Sequence, residues 1–163
     1  MRAANSMRIV RLLVLMALVP LAACDTAERQ DDFVDDASAV PAGFARTGED
    51  GEILEDDKDD WRTSPVYGGK VRFDPAFPNP TTGSLVTISL TVLEFGAIQG
   101  GLVLRGRDAN GTLRTLDDLP EAAEPGVHAF LFSPSILARS GLVRVFVFDR
   151  VGEVVTYGDL FLE

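Results

Sequence analysis

The chain of 163 residues holds one cysteine, one histidine and one tryptophan. A lone cysteine excludes an intramolecular disulfide framework. With a lone histidine, it also excludes a zinc site built on clustered Cys and His within one chain. No apolar run reaches the ~20 residues that a bilayer-spanning helix needs. The longest, Leu12 to Val19, stops at Pro20. Basic residues are scarce, 15 against 25 acidic for a net charge of −10. That balance argues against nucleic acid as a partner, because phosphates are neutralised by basic patches. The sequence also has no G-x-S-x-G elbow, no phosphate-binding P-loop and no G-x-G-x-x-G turn.

The acidity that is present is local. Asp25 to Asp60 carries 14 acidic residues against Arg29, Arg46 and Lys58, a net of −11. Residues 1–24 carry +3, and residues 61–163, with nine basic and eleven acidic side chains, carry −2. The first block opens with three arginines and no acid, continues into the short apolar run, and ends in small residues. This is the order of a secretory signal, and Met7 is an alternative start that keeps Arg8 and Arg11.

Leu21-Ala22-Ala23-Cys24 resembles the lipobox of bacterial lipoproteins. The resemblance implies a signal peptide over 1–23 and a Cys24 whose thiol carries a diacylglycerol, so that the mature protein is anchored in the cell envelope through lipid. Acyl chains at ~0.8 kcal/mol per buried methylene make such an anchor durable. Asp25 resembles an inner-membrane retention signal of enteric bacteria. Gln30-Asp31-Asp32 resembles the acidic surface-export signals of Bacteroidota. The two point to different leaflets.

From Asp25 to Asp60, Phe33, Val34, Val40, Phe44, Ile53 and Leu54 are scattered with no sustained period of 2 or 3.6. Low hydrophobicity with high charge predicts a disordered acidic linker over 24–60, with a root-mean-square reach of roughly 30–36 Å. Calcium ligation by Glu49–Glu52 or Glu55–Asp60 would need a D-x-D-x-D-G spacing that the run lacks.

Past Trp61 the pattern is that of strands. Val86, Ile88, Leu90 and Val92 alternate with Thr87, Ser89 and Thr91, one dry face and one wet. Leu102–Arg105 and Thr112–Leu116 flank Asp108-Ala109-Asn110-Gly111, a hairpin signal expected to form a type I′ turn with positive φ at Asn and Gly. Val127–Phe132 is a further strand. Leu142–Asp149 is apolar on both faces apart from Arg144, which predicts a central position, and Glu153–Leu162 follows it. With Lys70–Asp74 the count is about seven strands. Ser133–Ser140 is expected to make one or two helical turns, with Pro134 at the first position and Gly141 at the end. The expected fold is therefore all-β: an immunoglobulin-like antiparallel β-sandwich over 61–163.

Phe77-Pro78-Asn79-Pro80-Thr81-Thr82-Gly83 holds the chain extended and reads as an edge or entry segment. It also resembles the aromatic-P-N-P opening of the C-terminal sorting domains of type nine secretion cargo. Arg107–Gly111 matches that family's D-x-x-G hairpin and Gly126–Phe130 its G-x-Y strand, with His128 where the family has Tyr. The resemblance spans about 72–163 and implies the same sandwich fold.

Candidate chemistry is sparse. His128 lies within a strand pattern, with no nucleophile elbow in the sequence to serve it. Asp117-Asp118 and Glu121/Glu124 flank prolines in a turn-rich stretch, whereas a glycosidase needs carboxyls facing each other across a cleft. Trp61 and Tyr67 fit a carbohydrate-binding face or, more commonly, a lid or core. The leading expectation is a non-enzymatic, lipid-anchored envelope protein without cofactor or metal, whose sandwich binds an envelope protein partner. An accessory or sorting module of a type nine secretion system comes next, then a small carbohydrate-binding or hydrolase domain.

Overall fold

The computed structural model describes residues 26–163. Cys24 and the lipobox residues Leu21, Ala22 and Ala23 lie outside the described residues. Seven strands form an antiparallel sandwich of two sheets. Taken in chain order after a small N-terminal hairpin, β1 (Arg46–Thr47) with β2 (Ile53–Glu55), they are β3 (Val71–Phe73), β4 (Val86–Val92), β5 (Leu102–Arg107), β6 (Leu113–Leu119), β7 (Gly126–Phe132), β8 (Gly141–Asp149) and β9 (Val154–Leu162). One sheet has the order β3-β4-β7 and the other β6-β5-β8-β9. The chain changes sheet after β4, again after β6, and again after β7, which is the Greek-key winding of an immunoglobulin-like sandwich.

Alternation builds the core as expected. Val86, Ile88, Leu90 and Val92 of β4 are buried, and Ile88 lies opposite Phe130 of β7. Across from them, Leu102, Leu104, Val143, Val145, Val147 and Val155 close the interior. Trp61 and Tyr67 belong to this core. Trp61 lies against Gly158, where a Cβ would meet the indole at 2.2 Å, so only glycine leaves room for the ring. The helical expectation at 133–140 reduces to one 3-10 turn, Pro134–Ile136, at the β7–β8 crossover.

The 108–111 hairpin joins β5 to β6, but its turn is not the expected one. Trp61 is the only non-glycine with positive φ among the described residues. Asn110 therefore stays on the ordinary side, and Gly111 alone is left-handed (φ 80°). Asp108 Oδ1 accepts from the N–H of both Asn110 and Thr112, at 2.9 Å each. The Asp side chain organises the turn, which relieves Asn110 of the strained position.

The largest departure from expectation is the acidic segment. Residues 26–60 are not a free tether but are folded onto the sandwich. Residues 26–38 are helical. Their inward stripe, Thr26, Gln30, Phe33 and Ala37, has the 4-3-4 spacing of one helix face. Phe33 and Ala37 pack with Phe146 and Tyr157 on the outer face of the four-stranded sheet. Phe44 stacks on Phe161 at 5.3 Å, and Thr47 donates through Oγ1 to the Ala76 carbonyl at 2.7 Å. The sheet supplies the burial that the segment cannot provide for itself: packing decides the state of a short, highly charged helix. The same contact explains why β8 is apolar on both faces, since its second face is covered by the helix.

Asn79, at the centre of the proline motif, is fully buried. Its Nδ2 donates to the carbonyls of Ala45 (2.9 Å) and Asp159 (3.0 Å), and its Oδ1 accepts from the Phe161 N–H (3.0 Å). One amide thus ties the acidic segment to β9. Asn79→Ala would leave two carbonyls and one N–H without partners. It is expected to cost about 2–3 kcal/mol, read as a lowered urea midpoint at unchanged slope. A shift too small to measure would refute the pegging role.

Candidate functional site

The strongest concentration of polar chemistry sits where the acidic segment meets β8 and β9. Arg144 and Asp159 are cross-strand partners, and both are buried. Arg144 Nε and Nη2 donate to Asp159 Oδ1 and Oδ2, each at 2.7 Å, in a two-bond fork. The remaining terminal nitrogen, Nη1, donates to the carbonyls of Asp36 (2.8 Å), Ala37 (3.3 Å) and Ala39 (2.8 Å). These carbonyls lie at and just past the end of the helix, where the chain runs out of i→i+4 donors; the Asp36 carbonyl also accepts the Ala39 N–H at 3.1 Å. A cation at a helix C-terminus is also favoured by the macrodipole. The guanidinium lies 4.8 Å from the centre of the Tyr157 ring, so both its rim and its face are engaged.

Arg62 makes a second, more exposed link. Its Nη2 donates to Asp36 Oδ2 at 2.5 Å and to Tyr157 Oη at 2.9 Å. Its guanidinium lies over both the Phe33 and Tyr157 rings, at 5.7 and 5.9 Å from their centres.

Asp60 completes the cluster. Its Oδ2 accepts from the Ala45 N–H and its Oδ1 from the Asp159 N–H, both at 3.1 Å. Burial, reinforced by the Asp159 charge, pushes its pKa up to about 8. Burial raises Asp159 as well, against the pull of Arg144. Ala42, Gly43, Asp57 and Asp59 join Asp60 and Asp159 around a cleft of about 240 Å³. Chemically, the arrangement is a latch: its donors and acceptors are spent on backbone groups and on one another.

The candidates taken from the sequence are dispersed. His128 is half-buried near the start of β7, with Nε2 2.9 Å from the Glu124 carbonyl. Asp117 accepts the Leu131 N–H at 2.9 Å, which occupies an edge donor of β7. Asp118 pairs with Arg150. Glu121 lies in the 3-10 turn Pro120–Ala123. Trp61 and Tyr67 are core residues and offer no carbohydrate-binding face, and the Tyr67 hydroxyl is bonded to Asp149. Among the described residues, no group of three or more His, Cys, Asp or Glu is placed to hold a metal ion. No helix among them is long and apolar enough to cross a membrane.

Sequence reasoning missed the latch. Arg144 did stand out as the one charge in an apolar strand, but its partner Asp159 and the helix end were not legible. No protein-family model matches the chain, and no curated protein does either.

Proposed function

We propose that the protein is a non-enzymatic lipoprotein of the bacterial cell envelope, anchored through an acylated Cys24 and presenting its β-sandwich to a protein partner. The observation that carries this reading is the Leu21-Ala22-Ala23-Cys24 element, placed after a basic, apolar leader and two residues ahead of chain that is packed on the sandwich. The latch supports the tethered arrangement: the side chains richest in chemistry hold the N-terminal segment to the domain.

Cys24→Ser is expected to move the protein from the membrane fraction to the soluble fraction of the envelope, and the mass of acyl chains should vanish from the N-terminal peptide. A variant that remains equally membrane-bound would refute lipid anchoring. For the partner, cross-linking in intact envelopes followed by purification of the lipidated protein should return one stoichiometric envelope protein. Return of the chain alone would refute the adaptor role.

A further inference from the structure

We infer that the end of the sandwich where residue 26 emerges is seated in the interfacial layer of a lipid bilayer, with Phe95 and Val151 as its embedded side chains. The inference rests on the lipid-anchor reading of Cys24 and adds an orientation to it.

Connectivity comes first. Two residues span at most about 7 Å, so an acylated Cys24 holds Thr26 close to the lipid headgroups. Thr26 belongs to a helix packed along the outer sheet face and latched through Arg144. The sandwich therefore cannot stand off by the 30 Å or so that a free linker of this length would allow.

Contacts identify which end this is. Gln30 Oε1 accepts the Val66 N–H at 3.4 Å, and Thr26, Ala27, Gln30 and Val66 line one shallow cleft. From Val66 the same end is traced through Lys70, whose Nζ donates to the Val66 carbonyl, and through Leu93, whose N–H donates to the Lys70 carbonyl. Tyr67 reaches the β8–β9 hairpin at Asp149, and Arg150 in that hairpin donates to the Gly100 carbonyl. The 65–70 turn, the 93–101 loop and the 149–153 hairpin thus form one surface beside the helix start.

That surface is apolar where side chains project farthest. Phe95 is 82% exposed, Val151 79%, Leu93 54% and Val66 46%. Exposed apolar residues also occur at the opposite end, at Leu85, Leu113 and Ile136, so exposure alone does not choose between the two. The point where the chain emerges does. Interfacial segments bury apolar side chains about 5–10 Å into the headgroup–acyl boundary, and an aromatic at a protruding loop suits that layer. The 65–70, 93–101 and 149–153 segments carry Lys70 and Arg150 against Glu94, Asp149 and Glu153, a slight negative excess that fits a zwitterionic bilayer better than an anionic one.

The chain's lone cysteine makes the test direct, because acylation of Cys24 leaves no other thiol. Glu94→Cys and, at the far end, Ile136→Cys are introduced separately into the full lipidated protein and labelled with a thiol-reactive fluorophore. Each product is placed in phosphatidylcholine vesicles containing spin-labelled lipid. Seating predicts several-fold stronger quenching at position 94 than at 136, abolished when Phe95→Asp and Val151→Asp are added. Equal quenching at both positions, in protein that still floats with the vesicles, would overturn the seating while leaving the anchor intact. So would stronger quenching at 136. Reaction of the unsubstituted membrane-derived protein with the thiol reagent would show a free Cys24, overturning the anchor and the seating with it.

Discussion

Arg144→Met is expected to destabilise the fold by about 3–5 kcal/mol, because it strands a buried carboxylate. Asp159 would lose both bonds of the fork, and the Ala37 and Ala39 carbonyls at the end of the 26–38 helix would lose their Arg144 donor, while the Asp36 carbonyl keeps only the Ala39 N–H. Two measurements separate these effects. Urea denaturation reports the global loss. Hydrogen exchange of the 26–38 amides reports release of the helix, which should precede unfolding of the sandwich. The double variant Arg144→Met/Asp159→Leu removes both charges and is expected to regain much of the global stability, as apolar replacements of buried pairs commonly do. It restores no donor to the helix carbonyls, so helix exchange should remain fast. If helix protection recovers together with global stability, Arg144 is only half of an ion pair and the latch description is wrong.

The second large effect is a dependence on pH. Asp60, held up at about 8 by burial and the nearby Asp159, retains its proton in the fold at pH values where the unfolded chain has released it. Where the folded state binds more protons, stability falls as pH rises. The contribution is fully present below the ordinary carboxylate range near 4, declines from there, and is gone above about 8. Asp159, also raised by burial, acts in the same direction. Over this interval the linkage amounts to as much as about 5 kcal/mol. Thermal midpoints should therefore drop between about pH 5 and pH 9, opposite to the behaviour of a carboxylate stabilised by a salt bridge. Asp60→Asn keeps an acceptor oxygen and removes the titration, so its profile should be markedly flatter. A wild-type midpoint that is level across this range, or a variant with the same slope, would refute the assignment. In the protein's setting, alkaline conditions would loosen the contact at Ala45 and Asp159 first.

The sandwich was readable because its signals are local. Two-residue alternation in Val86–Val92, the double-faced apolar run of Leu142–Asp149 and the hairpin at Asp108–Gly111 each follow from side chains that face water or core within one strand. The hairpin's position was legible while its turn type was not, since the Asp108 carboxylate, and not backbone preference, sets the geometry. The acidic segment was misread for the opposite reason. Phe33 and Ala37 are two small apolar signals among many carboxylates, and they suffice only because Phe146 and Tyr157 wait on another part of the chain. The Arg144–Asp159 pair likewise depends on register between strands, which a separation of fifteen residues along the chain does not reveal.

The amino-acid sequence by itself determined the all-β class, the number of sandwich strands, the confinement of negative charge to 25–60 and the presence of a lipobox-like element. These rest on composition and short-range periodicity. Only the tertiary structure decided that the charged segment is part of the domain and that Arg144 ends a helix from the far side of the chain. Burial of Phe33, capping of carbonyls and the raised Asp60 all require surfaces that exist only once the sheets have assembled. A segment that cannot order itself is ordered by the fold it covers.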